Sequence, residues 1–346
     1  MRKLWENQIS RRKLLGGAAA AGASVPVLHE LVPHQVLHDQ FASAQEHADM
    51  EGHQAHTGSG HLGARGRVNP GANGFDPQEI LRDFDRGRVI NGVREWDIVA
   101  EDREIEVAPG VKYAAWAYNE RVPGPTLRAR EGERLRINFI NASVHPHTMH
   151  FHGIHRDLSD GIPGVGVGNI GPGGSTTYEF DATPFGVHLY HCHSTPLAEH
   201  IAKGLYGMFI IDPRDGRPPA DELVMVMNGF DTNFDRANEV YAVNTVAFAY
   251  MDEPVRVKRN ELVRIYLVNA LEFDLINSFH IHANFFDYYP TGTRLEPRDF
   301  TDTVIQGQGE RGILELRFPY SGKYMFHAHV SEFAELGWMG FFEVTD

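Results

Sequence analysis

Two stretches of the chain repeat each other, and that repeat constrains the fold more than any other feature. RAREGERLRINFINAS (residues 128–143) is matched by RVKRNELVRIYLVNAL (residues 256–271). Each copy leads into a His-x-His pair, His150/His152 and His280/His282. Each then runs through a phenylalanine-containing strand, a glycine turn and an aromatic residue to a second pair, His191/His193 in FGVHLYHCH and His327/His329 in YSGKYMFHAH. Within the copies, apolar and polar residues alternate with the period of a strand, and helical periodicity is weak from about residue 94 onward. A repeated strand-rich unit of this length implies two like domains, each able to bury its own core. The fold class is therefore all-β, with two tandem Greek-key β-sandwiches. The proline-rich DPRDGRPPADE (residues 212–222) is the natural break, giving domains at 91–212 and 222–346 with a linker at 213–221.

The N-terminus reads differently. ISRRKLLGGAAAAGASVPVL places Arg11 and Arg12 before a short apolar run, and Ala42–Ala44 offer a small-residue cleavage site, so residues 1–44 have the layout of a twin-arginine export signal. The apolar run is too short to span a bilayer, and no membrane span is expected. Export implies a periplasmic or extracellular location. Residues 45–90 are rich in Gly, Ala and His and read as a flexible arm. In it His47, Met50, His53, His56 and His61 form either a metal-gathering tract or a plain polar linker. The net charge of -14 argues against nucleic acid or anionic membrane as partner.

On a strand, residues i and i+2 point the same way, so each His-x-His pair presents two imidazoles to one side. One such pair is weak evidence; four pairs at matching places in two repeats point to metal. Eight neutral imidazoles with no carboxylate among them suit copper or zinc, and they exceed what one ion needs. The chain has a single cysteine, Cys192, between His191 and His193. If those histidines face a metal cluster, Cys192 faces the interior of its own domain. A thiolate with two imidazoles and a weak or absent axial ligand makes a blue-copper electron-transfer site. His147, at an odd offset before His150, and His200, on the loop after Cys192, are the candidate partners; His145 shares the parity of His147. The alternative is an inert buried thiol.

With HTMHFHG, YHCH followed by His200, FHIH and FHAH in this order, the chain from about Arg94 to its end resembles the multicopper oxidases. It looks most like the two-domain, laccase-like group with the blue copper in the first domain. The resemblance implies cupredoxin-like domains and four copper ions, one type 1, one type 2 and two type 3. It implies His147, Cys192 and His200 on type 1 copper, and His150 and His280 on type 2. His152, His191, His193, His282, His327 and His329 would hold the type 3 pair. Asn277 and Ala328 stand where a second blue-copper site would need histidine and cysteine. The axial position falls on Leu205, a non-coordinating residue, with Met208 the alternative. Asp160 resembles the family's acidic residue near the cluster and is preferred to Asp157, although an Asp-Gly turn explains it equally. The resemblance further implies a homotrimer, with each cluster assembled between subunits, the alternative being a cluster between the two domains of one chain; it also implies oxidation of a phenolic or similar small-molecule donor, or a metal ion, by dioxygen. A cuprous or ferrous oxidase, a copper nitrite reductase and a copper store are the competing readings. His155 and His188 are left without a role.

Overall fold

A computed structural model describes residues 67–346, and in it each repeat is a separate pair of β-sheets. The first half contains β1 (Arg88–Ile90), β2 (Val93–Ala108), β3 (Val111–Tyr118), β4 (Leu127–Arg130), β5 (Arg134–Asn141), β6 (His150–Phe151), β7 (Ser175–Asp181), β8 (Gly186–His191) and β9 (Tyr206–Asp212). One sheet has the order β1-β2-β5-β7 with β3 beside β2, and the facing sheet has β4-β9-β8-β6. The alternation in β5 is realised directly: Leu135, Ile137 and Phe139 are buried, while Arg134, Arg136 and Asn138 turn outward.

The second half repeats this plan with β10 (Asp221–Phe230), β11 (Val240–Val243), β12 (Val255–Lys258), β13 (Val263–Asn269), β14 (Ile276–Ile281), β15 (Phe286–Pro290), β16 (Asp299–Thr301), β17 (Thr303–Gly307), β18 (Arg311–Leu316), β19 (Gly322–His327) and β20 (Met339–Thr345). Its sheets run β11-β10-β13-β18-β15-β16 and β12-β20-β19-β14-β17, and no described strand of one half pairs with a strand of the other.

What joins the halves is a shared core. In β8, Val187 and Leu189 pack with Val224 and Val226 of β10, while Tyr190 and the adjoining Cys192 turn into the core of the first sandwich. In β10, Leu223, Met225 and Met227 face the second sandwich. Both strands are covered on both faces, which is why LVMVM is apolar without alternation. At the rim, the Arg128 guanidinium grips Asp212 at 2.8 Å and Glu222 at 2.7 Å, and Glu222 also meets Arg264 at 3.1 Å. The network ties the last strand of one sandwich to the first strand of the next.

The structure corrects the expected extent of the flexible arm at 45–90. From Pro70 the chain forms short helices α1 (Pro70–Asn73) and α2 (Pro77–Ile80), each opened by a proline and capped by the side chain of Asn69 or Asp76. Phe75, Ile80 and Leu81 are buried, and the Leu81 carbonyl accepts the Val224 N–H at 2.8 Å. The apolar residues of this segment were too few for a periodic signal, yet they seal the shared core. The export signal at 1–44 and His47, Met50, His53, His56 and His61 lie outside the described residues. Among the described residues, no helix is long and apolar enough to cross a membrane.

Candidate metal centres

Helix α3 (Leu197–Ala202) follows β8 after a short loop and carries His200 back over Cys192. His147 sits in the segment before β6, fixed by a two-way backbone bridge to Ile170 at 3.0 Å. These placements bring His147 Nδ1 and His200 Nδ1 to 3.2 Å, with Cys192 Sγ 3.2 Å from His200 Nδ1 and 3.9 Å from His147 Nδ1. All three residues are buried. Donor atoms about 2 Å from a common centre in a trigonal set stand about 3.5 Å apart, so the triad matches a metal-binding arrangement. Burial pushes the His147 imidazole down to about 3 and His200 to about 4, leaving both neutral and free to ligate. Burial pushes the Cys192 thiol up, an effect that a bound cation reverses. The Thr148 N–H lies 3.4 Å from Sγ and is aimed at it. His145 is exposed and stays outside the triad.

Strand parity separates the two axial candidates. Leu205 is buried in the same core cluster as Cys192 and Met149. Met208 belongs to the shared core between the sandwiches, on the opposite face of β9. The Leu205 carbonyl also accepts the Cys192 N–H at 2.9 Å.

The paired histidines form two matching half-sites. His150 pairs with His191 across β6 and β8, and His280 with His327 across β14 and β19. His152 Nε2 lies 2.9 Å from His191 Nε2; His282 Nε2 lies 3.0 Å from His327 Nε2. The outer nitrogens are held alike: His191 Nδ1 is 2.8 Å from the Cys192 carbonyl and His327 Nδ1 is 2.6 Å from the Ala328 carbonyl. Such anchors fix the tautomer and leave Nε2 as the available ligand atom. His193 and His329 stand beside these triads, with ring centres 5.4 Å from His150 and 5.2 Å from His280. Their N–H groups donate to Thr148 Oγ1 at 2.9 Å and Ser278 Oγ at 2.7 Å. Burial pushes His152 down to about 3 and His191 to about 4. Among the described residues, no group of donor atoms close enough for one ion combines the two halves.

Asp160 is the acid brought to this region. Its Oδ1 lies 2.8 Å and its carbonyl 2.9 Å from His150 Nδ1, and His155 Nε2 is 3.4 Å from the same Oδ1. Asp157 is exposed in the preceding turn. His155, left without a role in the sequence, therefore joins His150 and Asp160, brought there by the turn after β6 and not by strand spacing. In the second half, Thr303 Oγ1 at 2.8 Å and the Asp302 carbonyl at 3.0 Å take the place of Asp160 against His280. His188 is a buried structural residue, bracketed by the carbonyls of His152 and Pro184 at 2.9 Å each.

The second sandwich has no counterpart of the cysteine triad. Asn277 and Ala328 occupy the matching positions. The Ala328 N–H donates to the Trp338 carbonyl as Cys192 does to Leu205, and the buried Trp338 side chain takes up volume there.

The chain matches two family models, both described as multicopper oxidase, over residues 100–216 and 217–346. A solved structure described as a multicopper oxidase is 64% identical, with a TM-score of 0.79, and covers 81% of this chain and 100% of its own. A copper nitrite reductase from Nitrosomonas europaea is 29% identical, with a TM-score of 0.64, covering 73% of this chain and 94% of its own. The copper-containing nitrite reductase of Neisseria gonorrhoeae is 29% identical over 250 residues, 66% of this chain and 62% of that protein. The chain thus spans about three-fifths of the length of the curated nitrite reductases it matches.

Proposed function

The chain belongs to the multicopper oxidases, a family of copper oxidoreductases with cupredoxin-like domains, and on that premise we propose that it is a laccase-like oxidase. In this reading four one-electron oxidations of a small-molecule donor are coupled to reduction of dioxygen to water. The observation that carries it is the duplicated half-site, His150/His152/His191 and His280/His282/His327, each with two Nε2 atoms about 3 Å apart. A mononuclear domain-interface copper, as in nitrite reduction, would not need all four His-x-His pairs.

We assign type 1 copper to His147, Cys192 and His200, with Leu205 at the non-coordinating axial position. We assign type 2 copper to His150 and His280, and the type 3 pair to His152, His191, His193, His282, His327 and His329. Bound copper would supply the one-electron steps and the reduction of dioxygen. The chain's own residues do the rest. The buried triad keeps water from the thiolate, and the backbone from His191 to His193 joins the two kinds of site through covalent bonds. Asp160 orients His150 through Nδ1 and lies where a proton can be handed toward the cluster.

The halves of the cluster are separate in one chain, so a homotrimer that joins each first-domain half to a neighbour's second-domain half is part of the proposal. Exposed apolar residues accompany both halves: Leu158, Val165 and Val167 near Asp160, and Leu275, Ile276 and Ile305 near His280. Passage through the twin-arginine route to the periplasm or exterior fits a protein that folds around its metal before export.

Nitrite reduction is the second reading, favoured by the similarity to nitrite reductases over both domains. Dioxygen uptake by the copper-loaded protein with a phenol, cuprous ion or ferrous ion, each beside a nitrite control, tests both. Uptake with phenols supports the oxidase; nitrite consumption without dioxygen uptake overturns it.

A further inference from the structure

The hairpin between β17 and β18 of the second sandwich reaches the first half-site of the same chain. Gly309, at its tip, stands against His152: a Cβ built on it would lie 3.6 Å from His152 Cε1 and 3.9 Å from Leu189 Cδ2. Arg311, which opens β18, donates from Nε to the Val187 carbonyl of β8 at 3.1 Å and from Nη1 to the Gly309 carbonyl at 3.3 Å. The turn is tied on three sides. The Gly309 N–H donates to the Asn269 carbonyl and the Asn269 N–H to the Glu310 carbonyl, both at 2.9 Å, while the Gly307 N–H donates to Glu310 Oε2 at 2.6 Å.

Arg311 is half-buried, yet it takes part in no salt bridge among the described residues, and the carboxylate of Glu310 beside it is turned onto Gly307. The buried Arg128 and Arg264, by contrast, each meet two carboxylates. The fold does not require a cation here. Arg311 stands opposite Val268 of β13, and the same place in the first sandwich, opposite Ile140 of β5, is taken by Ser175. The Val187 and Gly309 carbonyls need a donor, not a charge. Taking a guanidinium partly out of water without a counter-ion costs stability, so packing alone does not account for it. Its field reaches the histidines of the first half-site. His152 is held down to about 3 mainly by burial and next by His191, with the Arg311 charge adding to both. His188, brought down to about 4 chiefly by burial, feels the same charge.

We propose that Arg311 is a positioning residue of the first half-site: from the second sandwich of the same chain it sets a fixed positive charge beside His152 and favours the cuprous state of the copper held there. This rests on the oxidase reading, which assigns His152 to the type 3 pair. A neighbouring positive charge disfavours the more highly charged oxidation state, so it raises the potential of the pair. An electron arriving through the Cys192 peptide then meets a better acceptor. The hairpin thus does two things at one place: Gly309 packs on the imidazole and Arg311 charges its surroundings. The first half-site is tuned from within its own chain, whereas the proposed trimer completes it from a neighbour.

The test uses the full copper-loaded chain. The potential of the coupled pair is read by redox titration of its near-ultraviolet absorption, with the blue absorption followed in the same cell. Arg311→Gln keeps a donor for the Val187 carbonyl and removes the charge. Its one-electron equilibrium should move about tenfold toward the cupric state, equivalent to about 60 mV. Arg311→Lys keeps the charge and should stay within about threefold of the parent. The blue centre should move much less in both, because Cys192 faces the interior of the first sandwich. Glu310→Gln keeps an acceptor for the Gly307 N–H and removes the acid whose charge opposes Arg311, so the potential of the pair should rise. Equal pair potentials in the parent and Arg311→Gln overturn the proposal, and so does an Arg311→Lys that shifts as far as Arg311→Gln. If Arg311→Gln fails to retain the pair, Glu310→Gln still decides, and an unchanged or lower potential there overturns the proposal. A parent with no coupled-pair absorption that consumes nitrite would instead overturn the underlying oxidase reading.

Discussion

The main-chain N–H of Thr148 points at Cys192 Sγ from 3.4 Å, while the hydroxyl of the same residue accepts the His193 N–H at 2.9 Å and lies 3.9 Å from that sulfur. One residue thus touches the thiol and holds the histidine beside it. Donors directed at a thiolate draw electron density from it and favour the reduced metal. Thr148→Val keeps the N–H but removes the hydroxyl. The type 1 potential should fall by about 30 mV, half a decade in the one-electron equilibrium. A redox titration of the blue absorption checks this, and a rise in potential would reject the contact as a tuning element.

Leu205 and Met208 differ by one step of strand parity, and that step decides what a thioether can reach. Leu205→Met adds a donor on the side of Cys192 and should lower the potential by about 60 mV or more. Met208→Leu changes only the shared core and should leave the potential within error while costing less than about 1.5 kcal/mol of stability. A potential that follows Met208 and ignores Leu205 would reverse the axial assignment.

Asp160 bears on His150 from two atoms, and Asp157 bears on neither. Asp160→Asn should reduce dioxygen turnover or copper retention about 10–100-fold, the range seen when a ligand's outer partner is lost. Asp157→Asn should leave both unchanged. Copper content by elemental analysis, measured beside the pH profile of dioxygen uptake, separates a holding role from proton delivery. An unchanged rate, pH profile and copper content in Asp160→Asn would remove Asp160 from the site.

Much of the site was legible in the sequence because strand geometry converts spacing into direction. The His-x-His pairs, the opposite facing of Cys192 and the parity of His147 follow from a period of two, and the structure groups those residues as the period implies. Asn277 and Ala328 were readable as losses by comparing the repeats. The indole of Trp116, centred 5.1 Å from the His147 ring and 4.7 Å from the His200 ring, was not readable as a neighbour of the triad, since it lies on a strand far from Cys192 in the chain and reaches His200 only through the docking of β3 on α3. His155 had no partner in sequence terms until the turn after His152 folded back. The segment from Pro70 to Ile90 reads as arm in the sequence because its few buried residues follow no repeating pattern, and their burial depends on a core built by both domains.

The Arg128–Glu222 contact predicts how stability responds to acid. Burial alone would raise the Glu222 carboxyl, but hydrogen bonds from Arg128 and Tyr266 outweigh it and bring the group down to about 2. A depressed carboxyl contributes stability that is present above the unfolded value of about 4.3 and is lost as pH falls toward 2. Glu222→Gln should therefore unfold at lower denaturant than the parent at pH 7, by up to about 3 kcal/mol, with the gap closing between pH 4.5 and 2. A gap independent of pH would mean that the glutamate acts through packing and not through its charge.

On β14 and β17, His280 pairs with Thr303, and Ser278 with Ile305, so alternation puts the exposed Ile276 and Ile305 on the same face as His280. Leu275 beside them is 83% exposed, and His282 and His329 are exposed as well. Isolated apolar side chains on a surface need no explanation, but here they surround a histidine half-site that the proposed cluster would complete from a neighbouring subunit. Leu275→Asp combined with Ile305→Asp places two charges where a neighbouring subunit would seat. Subunit affinity should fall about 100-fold or more, equivalent to roughly 3 kcal/mol. Native mass measurement should then show monomer, and the blue absorption should persist, because His147, Cys192 and His200 belong to one chain. Dioxygen uptake should be lost together with about three of four coppers, the share bound by mixed ligands under the four-ion assignment. A monomeric double variant that keeps its full copper and its dioxygen uptake would show that the cluster closes within a single chain.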